Sequence, residues 1–304
     1  MQQREYQQKA IAFLAKSKRG IVQAPAGAGK THIAASALAV CLYKRKGVAN
    51  VEIMVNTIEQ VDQMQTACDR FEIIKQKSNL QIYCAAGVAM GTYPDLLIVD
   101  ECHRAAAPTW AYKIKQCQSA IWGLSATPFS ADKERNAIVR DLFDNNVHVI
   151  NRSDLVNNGY LAKAKVVWHE VANDNTAAAI EKYTKKLITK RRKKMPWMFR
   201  TTESSQKQIK QCKWQAAQKL GIWENKNRDA QIELIAKQSI NAGKHTIVLI
   251  GSIDHGKRLF NVIPSCELVH SKMSAKKRQH IIGEFRKGNL PCIVGTSAIE
   301  EGFD

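Results

Sequence analysis

Short, nearly continuous apolar runs punctuate the first half of the chain: Gly20–Ala24, Val51–Val55, Leu80–Cys84, Leu96–Val99 and Ala120–Leu124. Runs of that length without alternation predict strands buried on both faces. Between them the period changes. Tyr6 to Lys16 is apolar at helical spacing, and Thr31 to Lys46 is Ala-rich and closes on Lys-Arg-Lys before Gly47, a helix C-terminal signature. Strands alternating with helices predict βαβ units and a parallel sheet covered on both faces. This block is expected to end near Ile150. A second block predicts strands at Thr246–Ile250, Glu267–His270 and Pro291–Val294, with helices over Ile253–Val262 and Ser274–Arg286. Between the blocks lie a predicted strand, Ala164–Val171, and a long polar helical stretch from about Asn175 to Asn241. The pattern therefore predicts an α/β protein with domains at 1–150 and 151–304, the second carrying a helical insertion at about 173–243.

Composition narrows the class. A length of 304 residues suits two domains, and 45% hydrophobic residues is too many for a disordered chain. No stretch approaches the roughly 18 apolar residues of a membrane span. The start MQQREYQQK is polar, unlike a signal peptide, so a cytoplasmic protein without membrane attachment is expected. Eight scattered cysteines with no CxxC pair read as reduced core thiols. The charge is more informative: 46 Lys+Arg against 27 Asp+Glu gives +19, a surplus that predicts a polyanionic partner, nucleic acid first. Residues 181–219 hold thirteen of those cations and two acids, Glu181 and Glu203, so +11 of the surplus lies there. Within it, KRRKKMPWMFR (190–200) sets Arg191, Arg192, Lys193 and Lys194 to neutralise phosphates and Trp197 to stack on a base. A solvated helical insertion has the same composition, and both readings stand.

Three segments carry chemistry. APAGAGKT (24–31) follows a predicted strand and opens a predicted helix. Its small residues let the backbone N–H groups of Ala26, Gly27, Ala28 and Gly29 close around phosphates. Lys30 then reaches the β- and γ-phosphates and Thr31 ligates Mg²⁺. Ala24 stands where the general pattern has glycine. LLIVDECH (96–103) ends a strand in two carboxylates. Asp100 is placed to hold Mg²⁺ through water, and Glu101 to polarise the attacking water. His103 joins them as a candidate, while Cys102 reads as a small core residue. GLSATPF (123–129) offers the hydroxyls of Ser125 and Thr127 at the carboxyl edge of the sheet, where open α/β folds bind ligands.

The order APAGAGKT, DECH, SAT and VGTSAIEEGFD (294–304) resembles the superfamily 2 helicases and translocases, nearest the DEAD/DEAH-type branch of the UvsW and XPB-like enzymes. REYQQKAI (4–11) resembles that branch's Arg-x-Tyr-Gln element, which implies Gln7 near the adenine. VNTIEQVDQ (55–63) is similar to motif Ia and implies a nucleic-acid contact at Thr57. VLIGSIDHGKRL (248–259) resembles motif IV, and VHSKMSAKKR (269–278) the element after it. LVNNGYLAKAKVVWHEV (155–171) resembles the bridge between the domains. The resemblance implies two RecA-like domains, the second incomplete. It further implies coupling of hydrolysis to movement through Ser125 and Thr127, a strand contact at Thr296, and a contribution of Gly302 and Asp304 to the nucleotide cleft. CAAGVAMGTYPD (84–95) lacks a clear motif Ib threonine.

The expected activity is that of a nucleic-acid-dependent ATPase, a helicase or translocase using ATP and Mg²⁺, with DNA favoured over RNA and a role in repair, recombination or replication. The sequence stops at Asp304, inside motif V. The family's later Gln-x-x-Gly-Arg-x-x-Arg element carries an arginine worth roughly 10³–10⁵ in rate in related phosphate-loop enzymes. The expectation is therefore slow turnover by this chain alone, a second polypeptide being one source of the missing element. The alternatives are a non-hydrolysing nucleic-acid-binding module and one half of a split helicase.

Overall fold

A computed structural model describes residues 3–84, 93–173, 175–296 and 299. The chain divides into two compact units, one reaching to Lys165 and the other starting at Val166.

The first unit is built on six strands, β1 (Arg19–Gln23), β2 (Ala49–Val55), β3 (Ser78–Cys84), β4 (Leu96–Asp100), β5 (Ala120–Ser125) and β6 (Val147–Val149). All pair in parallel, in the order β3-β2-β4-β5-β1-β6. The apolar runs sort by parity, as a pleated strand requires. Ile98 of β4 joins one core with Val51 and Ile53 of β2, beneath α1 (Glu5–Lys16), α2 (Lys30–Lys44), α3 (Ile58–Cys68) and α4 (Glu72–Lys77). Leu97 and Val99 join the opposite core with Trp110 and Ile114 of α5 (Pro108–Gln116) and Val139 and Leu142 of α6 (Lys133–Leu142). β4 is buried at all five positions.

One polar residue interrupts the run of β2. Glu52 is buried and accepts from the Tyr83 hydroxyl at 2.6 Å, and its carboxylate lies 3.1 Å from the ammonium of buried Lys113. Burial, with the Glu52 carboxylate beside it, pushes the Tyr83 phenol far above its ordinary range.

The unit extends about fifteen residues past the expected Ile150. Leu155 of α7 (Arg152–Asn157) and Leu161 pack into the core that holds α1 and α2. The short edge strand β6 is absent from the pattern because its residues are only half-covered.

In the second unit, β7 (Thr246–Leu249), β8 (Cys266–Val269) and β9 (Cys292–Gly295) form a parallel sheet in the order β7-β9-β8. Central β9 is buried throughout and feeds both cores. Cys292 and Val294 face Ala236 and Leu259, from α10 (Lys226–Asn241) and α11 (Ile253–Phe260). Ile293 meets Ile281 and Phe285 of α12 (Ala275–Arg286).

The polar stretch before this sheet is helical as expected. It contains α8 (Ala177–Lys194), a 3₁₀ turn at Pro196–Phe199, α9 (Thr202–Gln218), a π-helical turn at Lys219–Trp223, and α10. Ala164–Val171 departs from the expectation. It is irregular, and Val166, Val167 and Trp168 are exposed, Trp168 at 90%. High β-propensity makes a strand only where a neighbour completes the ladder, and no described strand does so here.

Candidate functional site

Parallel pairing brings the three chemistry-bearing segments of the first unit together. β4, β5 and β1 are consecutive in the sheet, in a register that pairs Asp100 with Leu124 and Ser125 with Gln23. The loops that follow all three strands therefore leave from one carboxyl edge.

The loop after β1 is shaped by two glycines. Gly27 has φ +79 and Gly29 φ +81, the left-handed region in which a side chain is strained. A Cβ at Gly27 would lie 2.9 Å from Leu161 Cδ2, and one at Gly29 2.9 Å from Gln7 Nε2. Ala28 is buried, Ala26 and Gly27 are exposed, and Gly29 is the N-cap of α2. Lys30 and Thr31 occupy that helix's first turn, half-exposed. The Ala28 carbonyl accepts from the Gln7 amide at 3.3 Å and from the Tyr6 hydroxyl at 3.2 Å. Gln7 is held in place because its other end closes a capping box on Arg4 N–H at 3.1 Å. Tyr6 also packs on Tyr160, ring centroids 5.6 Å apart, and the Arg4 guanidinium lies 4.4 Å from the Tyr160 ring centre.

At the end of β4, Asp100 is 7% exposed and accepts the Glu101 N–H at 3.0 Å. Glu101 has φ +49, ψ +49, a left-handed conformation that is strained for a residue with a side chain. The turn sends the Glu101 carboxylate toward β5. Its Oε2 lies 3.4 Å from Ser125 Oγ and 3.2 Å from His103 Nδ1, and those two atoms are 3.2 Å apart. A carboxylate cannot donate, so this contact requires the proton on Nδ1. Ser125, fully buried, then donates to Glu101 while accepting from His103 and from the Thr127 N–H at 3.2 Å. Cys102, also fully buried, packs beneath Gly123, and burial raises its thiol well above the ordinary value.

Glycine alone closes the loop against Gln7 and Leu161; Ala28 N–H donates to the Pro25 carbonyl at 3.2 Å, so the N–H groups of Ala26, Gly27 and Gly29 are the ones a polyphosphate would meet. Thr31 and Asp100 supply the oxygen donors that magnesium takes. Among the described residues no cluster of His, Cys, Asp and Glu could hold a metal unaided. All eight cysteines are free thiols. No described helix is long and apolar enough to cross a membrane.

Thr57 stands just past the end of β2, on the same sheet edge. It is 8% exposed and caps α3, its hydroxyl accepting from Gln60 N–H at 3.3 Å. In the second unit, Thr296 follows β9 with its N–H on the Val269 carbonyl at 3.2 Å, half-buried. Gly302 and Asp304 lie outside the described residues. The basic segment divides in two. Arg192, Lys193, Lys194 and Trp197 are exposed at the turn between α8 and α9. Arg191 instead turns inward and donates to the side-chain oxygens of Gln208, Gln211 and Gln215 at 2.9, 2.7 and 3.4 Å. Three of its five guanidinium N–H donors are thereby engaged by α9, which sets Arg191 apart from its exposed neighbours. Glutamines at 208, 211 and 215 were the available signal: that spacing lines one helix face.

Sequence reasoning passed over Trp214, 61% exposed on α9 among Lys207, Lys210 and Lys213. It also passed over the Tyr6 contact to the loop. Trp214 sits outside the densest basic run, and Tyr6 reads as an ordinary core position of α1.

The chain matches two family models in tandem: "Type III restriction enzyme, res subunit" over residues 1–87 and 87–130, and "Helicase conserved C-terminal domain" over 226–304. No curated protein sequence matches it significantly. Solved structures share its fold. The Pyrococcus furiosus Hef helicase domain is similar at TM-score 0.55 and 15% identity, covering 99% of this chain and 87% of its own. S. cerevisiae Dbp5, in a variant form bound to Gle1 and IP6, is similar at TM-score 0.53 and 11% identity, covering 96% of this chain and 68% of its own. With a six-stranded and a second parallel sheet in the RecA-like pattern, and the helicase models matched in order along the chain, this protein belongs to the superfamily 2 helicases.

Proposed function

We propose that the protein is a nucleic-acid-dependent ATPase that translocates on or unwinds DNA. The observation that carries this reading is the convergence of the glycine loop, the Asp100–Glu101 strand end and Ser125 on three adjacent strand ends, with Glu101 hydrogen-bonded to Ser125. Bound Mg·ATP supplies a polyphosphate whose terminal bond water can break. In this reading the 26–29 backbone and Lys30 bind the phosphates, Thr31 and Asp100 hold the metal, and Gln7 borders the base. Glu101 Oε2 is already engaged by Ser125 and His103, which leaves Oε1 to take the proton of the attacking water. Any shift of that carboxylate disturbs Ser125 and the Thr127 N–H bound to it, which supports Ser125 and Thr127 as the route from hydrolysis to movement.

Thr57, Thr296 and the exposed Arg192, Lys193, Lys194 and Trp197 are assigned to the nucleic acid, mostly to its backbone. DNA is preferred because the motifs resemble most closely those of repair and recombination remodellers.

The test is ATPase activity with and without single-stranded DNA and RNA. Glu101→Gln is expected to lower turnover by roughly 10²–10⁴, the usual worth of a general base, while leaving ATP binding intact. Lys30→Ala is expected to abolish ATP-dependent strand binding. If neither substitution changes turnover or ATP-dependent strand binding, the protein is a nucleic-acid-binding module and the ATPase reading fails.

A further inference from the structure

A cavity of about 230 Å³ opens beside the catalytic cluster of the first unit, on the side of α6. His103, Thr127, Ser130, Arg135 and Asn136 line it, over an apolar floor that includes Phe129. We infer that this cavity is a binding site for inorganic phosphate, the product of the reaction proposed above, on which the inference rests.

Size comes first. Sites for drug-sized ligands run from about 300 to 1,000 Å³. This one is smaller and has room for a tetrahedral anion with water around it. Its polar wall suits the same ligand. Arg135 brings the fork of N–H donors that pairs with phosphate oxygens, and Thr127 and Ser130 bring hydroxyls. With its proton on Nδ1 toward Glu101 and Ser125, His103 leaves Nε2 as an acceptor, suited to the P–OH group of a protonated phosphate. The site is also built in place. Asn136 fixes the rim by a reciprocal pair with Ser130, accepting its N–H at 2.8 Å and donating to its carbonyl at 2.7 Å. Phe129 is pinned under the Arg140 guanidinium, 4.0 Å from its ring centre.

Position gives the site its meaning. His103 and Thr127 belong both to the cavity wall and to the network around Ser125. These two residues therefore link the cavity to the Glu101 carboxylate. An anion resting against them acts on the contact that holds the Glu101 carboxylate.

The experiment is a titration of the full chain with inorganic phosphate in the absence of nucleotide, followed by ³¹P NMR line width, so it does not depend on turnover. Arg135→Ala is expected to weaken phosphate binding about tenfold, and Arg135→Lys less. Lys30→Ala, in the phosphate loop, is expected to leave this binding in place. Absence of binding overturns the inference. So does binding lost in Lys30→Ala and kept in Arg135→Ala, which puts the ion in the phosphate loop. A third overturning result is an Arg135→Ala variant that loses affinity for single-stranded DNA alone, which makes Arg135 a contact to backbone phosphate. Should the wild type hydrolyse no ATP, the proposed function fails while the titration still decides whether the cavity takes phosphate.

Discussion

Gly29→Ala tests the reading of the phosphate loop as a shape held from two sides. Gly29 lies at φ +81, ψ +40, and the left-handed conformation costs a residue with a Cβ about 1–2 kcal/mol. The new methyl also arrives 2.9 Å from Gln7 Nε2, whose amide bonds the Ala28 carbonyl. Displacing that amide forfeits a hydrogen bond worth about 1 kcal/mol. The substitution should therefore destabilise the loop and the start of α2 by roughly 2–3 kcal/mol, the sum of the two. Gln7→Ala alone should cost about 1 kcal/mol. In that background Gly29→Ala meets no amide and should cost only its backbone part, so a double-mutant cycle should return a coupling of about 1 kcal/mol. Two units make a single global unfolding free energy ill-defined. The assay is therefore amide hydrogen exchange on peptides covering residues 21–44, which reports local opening. A Gly29→Ala cost under about 0.5 kcal/mol, or one that is the same with and without Gln7, refutes the account.

Three other outcomes are expected. Lys113→Met leaves the Glu52 carboxylate buried without its ammonium and should destabilise the first unit by about 3–5 kcal/mol, whereas replacing both Glu52 and Lys113 by apolar residues should recover most of that loss; amide exchange across β2 and α5 in the wild type and the two variants decides it. Burial lowers the His255 pKa, the Asp229 carboxylate opposing this only in part. Its contribution is therefore complete above the ordinary histidine value near 6.5 and is lost as pH falls below it. Second-unit melting should accordingly drop on acidification, less so in His255→Gln, and equal pH slopes would count against burial as the cause. Finally, Lys193→Ala and Lys194→Ala should each reduce the salt slope of DNA binding by about 1. Arg191→Ala should leave the slope unchanged while speeding exchange in α8 and α9, as salt-dependent binding and amide exchange together will show.

Much of the first unit is legible in the sequence because burial on both faces writes itself as an unbroken apolar run. β4 shows this best, with all five positions buried. The candidate-site residues are legible for a related reason: in a parallel sheet, whatever follows a strand emerges at its carboxyl edge. What the chain order leaves out is which strands are neighbours. β4, β5 and β1 are adjacent only in the folded sheet, and that adjacency brings Ser125 Oγ within reach of Glu101. Ala164–Val171 fails for the opposite reason. Its β-branched and aromatic residues express a preference that only a pairing partner can realise, and the partner is a property of the sheet.

The basic insertion separates what charge can reveal from what it cannot. Counting cations in 181–219 locates the segment proposed to face a polyanion and says nothing of which guanidinium faces outward. Arg191 and Arg192 are neighbours of identical chemistry, yet helical geometry turns them about 100° apart. One reaches three glutamines of α9 and the other stays exposed beside Phe199, its guanidinium 5.2 Å from the ring centre. The bonds to Gln208, Gln211 and Gln215 tie α8 to α9, so they hold the turn that presents Lys193, Lys194 and Trp197 together. In this segment one inward cation braces the turn that carries the outward ones. Substituting Arg191 is expected to weaken DNA binding by disordering that presentation, at every salt concentration alike, whereas removing an outward cation changes the salt dependence itself.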